Sequence, residues 1–596
     1  MFPPNKRPKD ITKLEETLSR IQDELLIAEK QQAQDQELQR QLAVISDVLY
    51  DTEDMIDELR CGAAKTLGVK VSNFLASIFP TPSKIQKTTK KIEKKASAIQ
   101  KRCGQNRRLV RLVDSGDTVI DHNFGSTSQV LGRDNERKKI VNFLKETNER
   151  VSVLPIVGMK GIGKTTLARL VYNDKLMDEH FEKKLWVHAP EHLEKYTLTM
   201  EIYTAARSKN DDEENWRDIW AVLFRGLRNG GKIVVTTPSN RAAQIMGTVD
   251  SLVLNVLSED DCVTLLFEKL AFKDGANNSD PGLTEFGEGI VENCGDFPLA
   301  VKTLGSLLHQ NINPPDSVLI YVARKRKRKR RNVKTRKRKR KNVHIRDNEI
   351  WGQDPERNIV ISALKLSYAH LSSHLRRCLT YCSLFPEGYC FNSDYLVHSW
   401  GAQGFLATHD RNEEWEDVGM RYLKILFSRC FFQDVEDNDY YFTFKMQDLI
   451  YDHVKEVAQR ECKRICLGVS YPDISARHLL FTGGASSDEQ LPHISANLRT
   501  IIMLVGEPFI TTLTSKHKYL RLLCLSGLQF QELPDSIGEL KHLRFLELSL
   551  NSIIRELPEA ICKLQSLQTL RLIGCSSLGN LPQGIQNLTS LRTIIL

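Results

Sequence analysis

The sequence has no apolar run near the roughly 20 residues that cross a bilayer, and no apolar signal-peptide segment follows Met1. Its 13 cysteines are scattered without a paired CxxC framework, so reduced thiols are predicted. We interpret Cys378 and Cys382 as buried apolar residues, because no second Cys/His pair follows them at zinc spacing. These absences exclude a secreted or membrane-spanning protein and predict a cytoplasmic or nuclear one.

Acidic residues are missing from one 18-residue stretch, 324–341, which holds 15 of the 84 lysines and arginines. The formal net charge of the chain is +9, but without this stretch 69 basic residues face 75 acidic ones, a net charge of −6. The basicity is therefore local. Because the stretch contains no aromatic residue, it favours nuclear import or a tolerated disordered insertion over specific DNA recognition. Binding to nucleic acid, the alternative, would be driven by phosphate and sensitive to salt.

The 596 residues exceed what one hydrophobic core usually serves, so several domains are expected. Apolar residues spaced three and four apart in 11–28 and 42–59 predict a compact helical bundle. Acidic residues flank the second of these helices. They indicate either a solvated helix face or a docking surface for a basic partner, with candidate residues Glu53, Asp54 and Asp57.

A phosphate-binding loop follows a short apolar run at 151–157. Gly158, Gly161 and Gly163 precede Lys164-Thr165-Thr166 in a GxxxxGK[ST] pattern, and helical spacing follows. The glycines let successive N–H groups face one phosphate, and the helix N-terminus adds its positive dipole end. Lys164 is predicted to reach the β- and γ-phosphates, and the Thr165 hydroxyl to hold Mg²⁺. The pattern predicts binding of a nucleotide rather than a glycine-rich structural turn.

The acidic strand that an NTPase places after this loop is missing. Strands are predicted at 184–188 (KLWVH) and 232–237 (KIVVTT), but no apolar strand precedes Asp211 and Asp212. These aspartates are weak candidates for a remnant of the strand. Nucleotide binding is expected to tolerate this loss better than hydrolysis, because the two use different groups.

The C-terminal part of the sequence is periodic. Leu-Pro pairs recur every 24 residues at 533, 557 and 581, and LxxLxL units end at 525, 548, 572 and 596. This period predicts leucine-rich repeats, in which each unit is a short strand of a curved solenoid. The pattern stops inside a strand unit without a capping repeat, so a truncated array is expected.

The order of these parts resembles plant disease-resistance proteins with a coiled-coil domain, an NB-ARC nucleotide-binding module and leucine-rich repeats. The residues 53–57 (EDMID) look like the EDVID motif, and 378–391 (CLTYCSLFPEGYCF) is similar to a winged-helix block. The resemblance implies a multidomain α and α/β fold: a helical bundle, a P-loop NTPase-type parallel α/β domain, helical and winged-helix domains, and a leucine-rich-repeat solenoid. The expected domains are the coiled-coil bundle 1–120 without its first helix, the P-loop domain 128–254 without its acidic strand, a helical domain 255–315, a basic insertion 316–349, a winged-helix domain 350–465 and truncated repeats 490–596.

The resemblance also implies site residues. Val130 and Arg133 match a VxGRxxE segment that contacts adenine in the family, and Pro298 of CGDFPLA matches a proline near the base. Gln447 and Asp448 stand in the place of the family's MHD motif, whose histidine contacts the ADP β-phosphate. The implied cofactor is ADP or ATP with Mg²⁺.

Two departures from the family concern the nucleotide. Pro238 stands where an arginine senses the γ-phosphate, and proline offers no donor. Gln447 replaces the histidine with an amide that can donate a hydrogen bond but cannot carry a positive charge. No catalytic residue is therefore assigned beyond the weak candidates Asp211 and Asp212, and multiple-turnover ATP hydrolysis is expected to be near background.

The favoured function is an innate-immunity receptor that switches between ADP and ATP. Its implied partners are a pathogen effector or a guarded host protein, an intramolecular contact of the coiled coil with the repeats, and other copies on activation. The alternatives are a degenerate receptor that acts only as an interaction module, and a nuclear or nucleic-acid-associated protein. The expected location is the cytoplasm, with the nucleus and the plasma-membrane periphery as alternatives.

Overall fold

The structure is a computed structural model. It describes Tyr50, Glu53, Asp54 and Asp57, which are helical, and most of the chain from 130 onward. The rest of the 1–120 bundle, Asp211 and Asp212, and the basic insertion 316–349 lie outside the described residues. The described ranges are 130–147, 151–187, 231–270, 287–311 except 289 and 293, 355–407, 413–466 except 439, 474, 476–482, 494, 497–503 and 516–596. Within them, no helix is both long enough and apolar enough to cross a membrane.

The P-loop domain contains a parallel sheet in the order β2-β1-β3. Strand β1 is buried along almost its whole length, because both of its faces are apolar. Ile156 on the sheet packs with Ile140 and Leu167 of the surrounding helices. The strands predicted at 151–157 and 232–237 are confirmed. The elements are β1 Ser152–Val157, β2 Lys232–Thr237, β3 Leu252–Val253, α1 Asp134–Lys145, α2 Lys164–Tyr172, α3 Lys175–His180 and α4 Asn240–Met246.

The strand predicted at 184–188 is wrong over its described residues, since 184–187 form neither strand nor helix. Lys184 is instead held against α2. Its Nζ donates to the carbonyl oxygen of Tyr172 at 2.5 Å, and its own carbonyl oxygen accepts the Tyr172 hydroxyl at 3.2 Å. The Trp186 ring packs edge-on against Tyr172 of α2, while Leu185 is exposed, so the described part of this segment lies along a helix rather than in the sheet.

Helices dominate the next two domains. Antiparallel strands in the order β4-β6-β5 complete the winged helix around buried Trp400 and Phe444. Cys378 and Cys382 are buried free thiols. Burial raises the pKa of each thiol well above its usual value, as expected for residues that pack in an apolar core. The elements are α5 Glu259–Leu270, α6 Pro298–Asn311, α7 Pro355–Ala369, α8 Ser373–Cys382, β4 Phe391–Asn392, α9 Ser393–Gln403, α10 Trp415–Ser428, β5 Phe432–Asp437, β6 Phe442–Met446 and α11 Asp448–Ala458.

The repeats form one parallel sheet of seven strands in sequence order. Its last four strands lie in the predicted LxxLxL units, which confirms the solenoid. The sheet begins at Cys462, ahead of the predicted start at 490, because CKRIC and HLLFT pair in register without carrying the leucine motif. The strands are β7 Cys462–Cys466, β8 His478–Thr482, β9 Thr500–Met503, β10 Leu522–Cys524, β11 Phe545–Glu547, β12 Thr569–Arg571 and β13 Thr593–Ile595, with 3₁₀-helices at Asp535–Glu539, Glu559–Lys563 and Gln583–Asn587.

Candidate functional site

The loop between β1 and α2 has the backbone that a phosphate cradle requires. Gly161 and Gly163 have φ of +84° and +100°, a region that side chains other than glycine rarely adopt. Helix α2 begins directly after Gly163, and a Cβ placed on Gly163 would meet no atom within 4 Å. Open space therefore adjoins the free N–H groups at a helix N-terminus, which is the arrangement that binds an anion.

Lys164 begins α2 and turns back over the loop. Its Nζ donates to the carbonyl oxygens of Gly158 and Met159 at 2.6 and 2.8 Å. Burial, aided by the positive charge of Lys160, lowers the pKa of Lys164 to about 8. A phosphate beside this ammonium would favour its charged form. Thr165 and Thr166 are exposed on the first turn of α2, so their hydroxyls can reach a phosphate or its Mg²⁺. These residues fit a nucleotide with its metal.

The segment that begins at Val130 packs beside the same loop. The Arg133 guanidinium is buried and donates to the carbonyl oxygens of Ile162 and Asn255 at 3.3 and 2.7 Å. Gly132, with φ +66°, lets the chain pass close to α5, since a Cβ there would lie 2.3 Å from the Asp261 carboxylate. The Arg133 side chain thus joins the loop, at the carbonyl oxygen of Ile162, to the residues that follow β3, at the carbonyl oxygen of Asn255.

Helix α6, which starts at Pro298, covers the loop from the other side. The Leu299 N–H donates to the carbonyl oxygen of Gly161 at 3.4 Å. A Cβ on Gly161 would lie 3.2 Å from Val360 of α7 and 3.4 Å from Leu299. The structure therefore brings the predicted residue Arg133 and the first turn of α6, which begins at Pro298, to the phosphate loop, and Val130 lies three residues before Arg133.

Gln447 and Asp448 lie where β6 ends and α11 begins. The Gln447 N–H donates to the carbonyl oxygen of Phe431 at 2.8 Å, while its buried Oε1 has no hydrogen-bond partner among the described residues. Helix α11 packs on α7 through His453 and Tyr368, whose rings are 5.3 Å apart. The two residues are thus connected to the loop through α7. Pro238 follows β2 and leads to Ser239, which caps α4.

The acidic residues at 53–57 lie against the repeats and the winged helix. Glu53 accepts hydrogen bonds from both Nη atoms of Arg377 on α8, at 3.0 and 3.2 Å. It also accepts one from Arg499 Nη1 at 2.7 Å. Asp54 pairs with Arg499 and Arg521, and Asp57 with Arg521 and Arg544 at 2.6 and 2.7 Å. Because most of these side chains are buried, the ion pairs are sheltered from solvent screening.

The arginines of the repeats form what we call the arginine ladder: Arg477, Arg499, Arg521 and Arg544. Each backbone N–H of the last three donates to the carbonyl oxygen of the preceding member at 2.8 Å. Strand spacing of about 4.8 Å would stack four like charges. Acidic partners offset this repulsion, and the carboxylates of Glu53, Asp54 and Asp57 supply the negative charge through their ion pairs with the arginine ladder.

The pKa of Glu53 reflects this environment. Burial alone would raise the pKa of the carboxyl, but the guanidiniums of Arg377 and Arg499 outweigh burial and hold it well below its usual value of 4.5. Glu53 is therefore ionised at neutral pH despite being enclosed.

Neither the basic half of this contact nor Tyr50 is predicted from the sequence. The signal for the ladder was present, since Leu-Arg recurs just before the strands at 499, 521 and 544. Tyr50 carries no comparable signal. Its ring lies 4.6 to 5.2 Å from the guanidinium carbons of Arg377, Arg477 and Arg499, and its hydroxyl donates to Glu461 Oε2 at 2.6 Å.

Comparison with known proteins matches four domain families along the chain. The Rx N-terminal domain matches 5–97, and the NB-ARC domain matches 133–219. The disease-resistance protein winged-helix domain matches 384–454, and a leucine-rich repeat region matches 511–596. The fold and its phosphate loop therefore define a multidomain nucleotide-binding protein with a repeat domain.

The relatives give the family. Disease resistance protein RGA2 of Solanum bulbocastanum is 31% identical over 576 residues, covering 89% of this chain and 54% of that protein. Disease resistance RPP13-like protein 4 of Arabidopsis thaliana is 26% identical over 581 residues, covering 87% of this chain and 64% of that protein. The chain belongs to the plant coiled-coil NB-ARC leucine-rich-repeat disease-resistance proteins, and it spans about half the length of the first relatives it matches.

Proposed function

We propose that this protein is an innate-immunity receptor in which an adenine nucleotide, ADP or ATP with Mg²⁺, sets the arrangement of the domains. The observation that supports it best is the convergence on one loop of Arg133, Lys164 and the start of α6. Each comes from a different part of the chain, so a ligand in this loop would act on all of them. Adenine is supported by the matches of Val130, Arg133 and Pro298 to the family's motifs.

The protein's own residues divide the work at this site. Lys164 and the N–H groups after Gly163 would hold the phosphates, and Thr165 would hold the metal. Arg133 fixes the position of the loop through Ile162. Gln447 offers its amide on the winged-helix side, and Asp448 begins the helix that leads away. The bound Mg²⁺ would neutralise phosphate charge.

Replacing Lys164 by alanine is expected to lower nucleotide retention at least about tenfold. Charge-assisted hydrogen bonds contribute about 1.5–3 kcal/mol, and about 1.4 kcal/mol corresponds to a factor of ten. The measurement is chromatography of the nucleotide released by denaturing the purified full chain. Lys175→Ala, an exposed lysine at the start of α3, is the control and should retain wild-type occupancy. Equal occupancy in Lys164→Ala and the wild type would contradict the assignment of the phosphate loop.

The described contacts also suit an interaction role, the alternative in which the nucleotide is held but not hydrolysed. The winged helix and the repeats share a core that contains Trp400 and Phe545. Arg571 pairs with Asp394 of α9 at 2.6 Å. We propose that recognition of a pathogen effector or a guarded host protein by the repeats is relayed through this interface, with assembly of several copies on activation. The intramolecular contact of 53–57 with the arginine ladder would restrain that change.

The cellular compartment is tested separately, with the basic stretch 324–341. We propose a cytoplasmic protein, with entry to the nucleus directed by 324–341, and peripheral membrane contact as the alternative. A fluorescent cargo fused to residues 320–345 is expected to accumulate in the nucleus, because clustered Lys and Arg are read as import signals. The control replaces the 15 basic residues with glutamine and serine. A cargo that stays as cytoplasmic as this control would reject import.

A further inference from the structure

One arginine of the phosphate-loop helix reaches the winged-helix domain. Arg169 lies on α2, five residues after Lys164. Its Nη1 is 3.3 Å from Asp434 Oδ1, and its Nη2 is 3.8 Å from Glu436 Oε1. Both acids belong to β5, more than 260 residues further along the chain. The pair therefore joins the helix of the phosphate loop directly to the β5–β6 hairpin.

Arg169 is held in place on its own side. Its guanidinium carbon lies 4.9 Å from the centroid of the Trp186 ring, and Trp186 packs edge-on against Tyr172 at 5.4 Å. The side chains of Arg169 and Asp434 are only 23% and 14% exposed. An ion pair with this shelter is screened less than a surface pair, and an arginine already packed on an aromatic ring loses less freedom when it forms.

The backbone of Asp434 is unusual at this contact. Its φ is +56°, and the pairing of β5 with β6 shifts between Gln433 and Glu436. Aspartate and asparagine tolerate this left-handed conformation better than other non-glycine residues, but it still carries strain. A bulge of this kind re-aims side chains, and here the Asp434 carboxylate meets Arg169.

The hairpin is also bonded to the residues beside Gln447. Phe432 pairs with Met446 across the hairpin, and the Gln447 N–H donates to the carbonyl oxygen of Phe431. A displacement of β5 is therefore transmitted to the turn that starts α11. The contact at Arg169 and the turn at Gln447 lie on one continuous hairpin.

We propose that Arg169 and Asp434 in the β5 bulge form a lock between the phosphate-loop helix and the winged-helix hairpin, supplemented by the more exposed Glu436. The lock holds the winged helix on the nucleotide domain, and it must open before the two can separate. It acts beside the motif residues at 446–448 and adds a direct ionic restraint to them. This inference rests on the proposed nucleotide function only in its effect on nucleotide release.

The test uses the full chain and two readouts. Hydrogen exchange of the 432–446 hairpin reports the lock whether or not nucleotide is bound, and the rate of nucleotide release reports its consequence. Arg169→Glu and Asp434→Arg are each expected to raise hairpin exchange and speed release about five- to tenfold. The swap Arg169→Glu/Asp434→Arg should return both readouts towards the wild type. Asp434→Asn, which keeps the tolerance for positive φ, should act like the single reversals in weaker form.

The control is Arg137→Glu. Arg137 pairs with Asp174 at 2.6 Å inside the P-loop domain and should leave hairpin exchange unchanged. Unchanged hairpin exchange in both Arg169→Glu and Asp434→Asn, which adds no backbone strain at 434, would overturn the lock. If the wild type holds no nucleotide, the proposed function fails, while hairpin exchange still decides the lock.

Discussion

Replacing Arg499 by glutamate is expected to release the 50–57 segment from the repeats. The Arg499 side chain is fully buried and contacts both Glu53 and Asp54, and its Nη2 also donates to the carbonyl oxygen of Tyr50 at 2.7 Å. Removing one partner of a buried pair costs about 3–5 kcal/mol, because the other charge is left uncompensated. The reversal places a third carboxylate beside two others, so the cost is at the upper end of that range.

The release is measured by limited proteolysis of the full chain, with cleavage on the N-terminal side of residue 60 followed by mass spectrometry. Arg555→Glu makes the same change at an exposed arginine of the repeats and serves as the control. A double-mutant cycle of Glu53→Gln with Arg377→Gln should show coupling, since the pair is bidentate. Arg499→Glu that is cleaved no faster than Arg555→Glu would contradict the buried ion pairs as the source of the attachment.

Lowering the pH should also release the 50–57 segment from the repeats, through protonation of Glu53. Its pKa in the folded protein lies below its usual value of 4.5, so its contribution to stability is present above that value and is lost as the pH falls towards the folded pKa. Cleavage near residue 60 should therefore rise below about pH 4.5. An acid-stable protease such as pepsin suits this range. In Glu53→Gln the pH dependence should be smaller, because one titrating group has been removed.

Much of the fold could be predicted because its signals are local. The strand, glycine loop and helix around Lys164 are specified by consecutive residues, and the solenoid by a 24-residue period. Both describe contacts between near neighbours in the chain. The failed strand at 184–187 shows the limit, since Trp186 packs on Tyr172 of α2 instead of joining the sheet.

The contacts between domains could not be predicted in the same way. Glu53 was a candidate docking residue, but its partner Arg377 is 324 positions away and carries no motif. Arg169 occupies an ordinary position of an amphipathic helix, and only the tertiary structure places Asp434 opposite it. Charge pairing across domains depends on how whole elements pack, so a single sequence contains little trace of it.

Tyr50 also makes contacts between domains that the sequence does not predict. Its replacement separates two contributions to the attachment of residues 50–57: the contacts of the ring with arginines and the hydrogen bond of the hydroxyl. The ring lies among three guanidiniums, and each desolvated cation–π contact contributes up to about 2 kcal/mol. Tyr50→Leu loses these contacts and leaves part of the ring volume empty, which we expect to cost about 3–5 kcal/mol. Tyr50→Phe keeps the ring and loses only the hydroxyl donor to Glu461, at about 1.5–3 kcal/mol.

The same proteolysis assay ranks the variants: cleavage near residue 60 should be fastest in Tyr50→Leu, slower in Tyr50→Phe and slowest in the wild type. Glu461→Ala removes the acceptor of the hydroxyl contact, and combined with Tyr50→Phe it should add little, since each change alone already removes the same hydrogen bond. If Tyr50→Phe is cleaved as fast as Tyr50→Leu, the ring contributes nothing and the hydroxyl alone holds the segment. The ring contribution matters because Glu461 follows α11, so Tyr50 ties the acidic segment to the winged helix as well as to the arginine ladder.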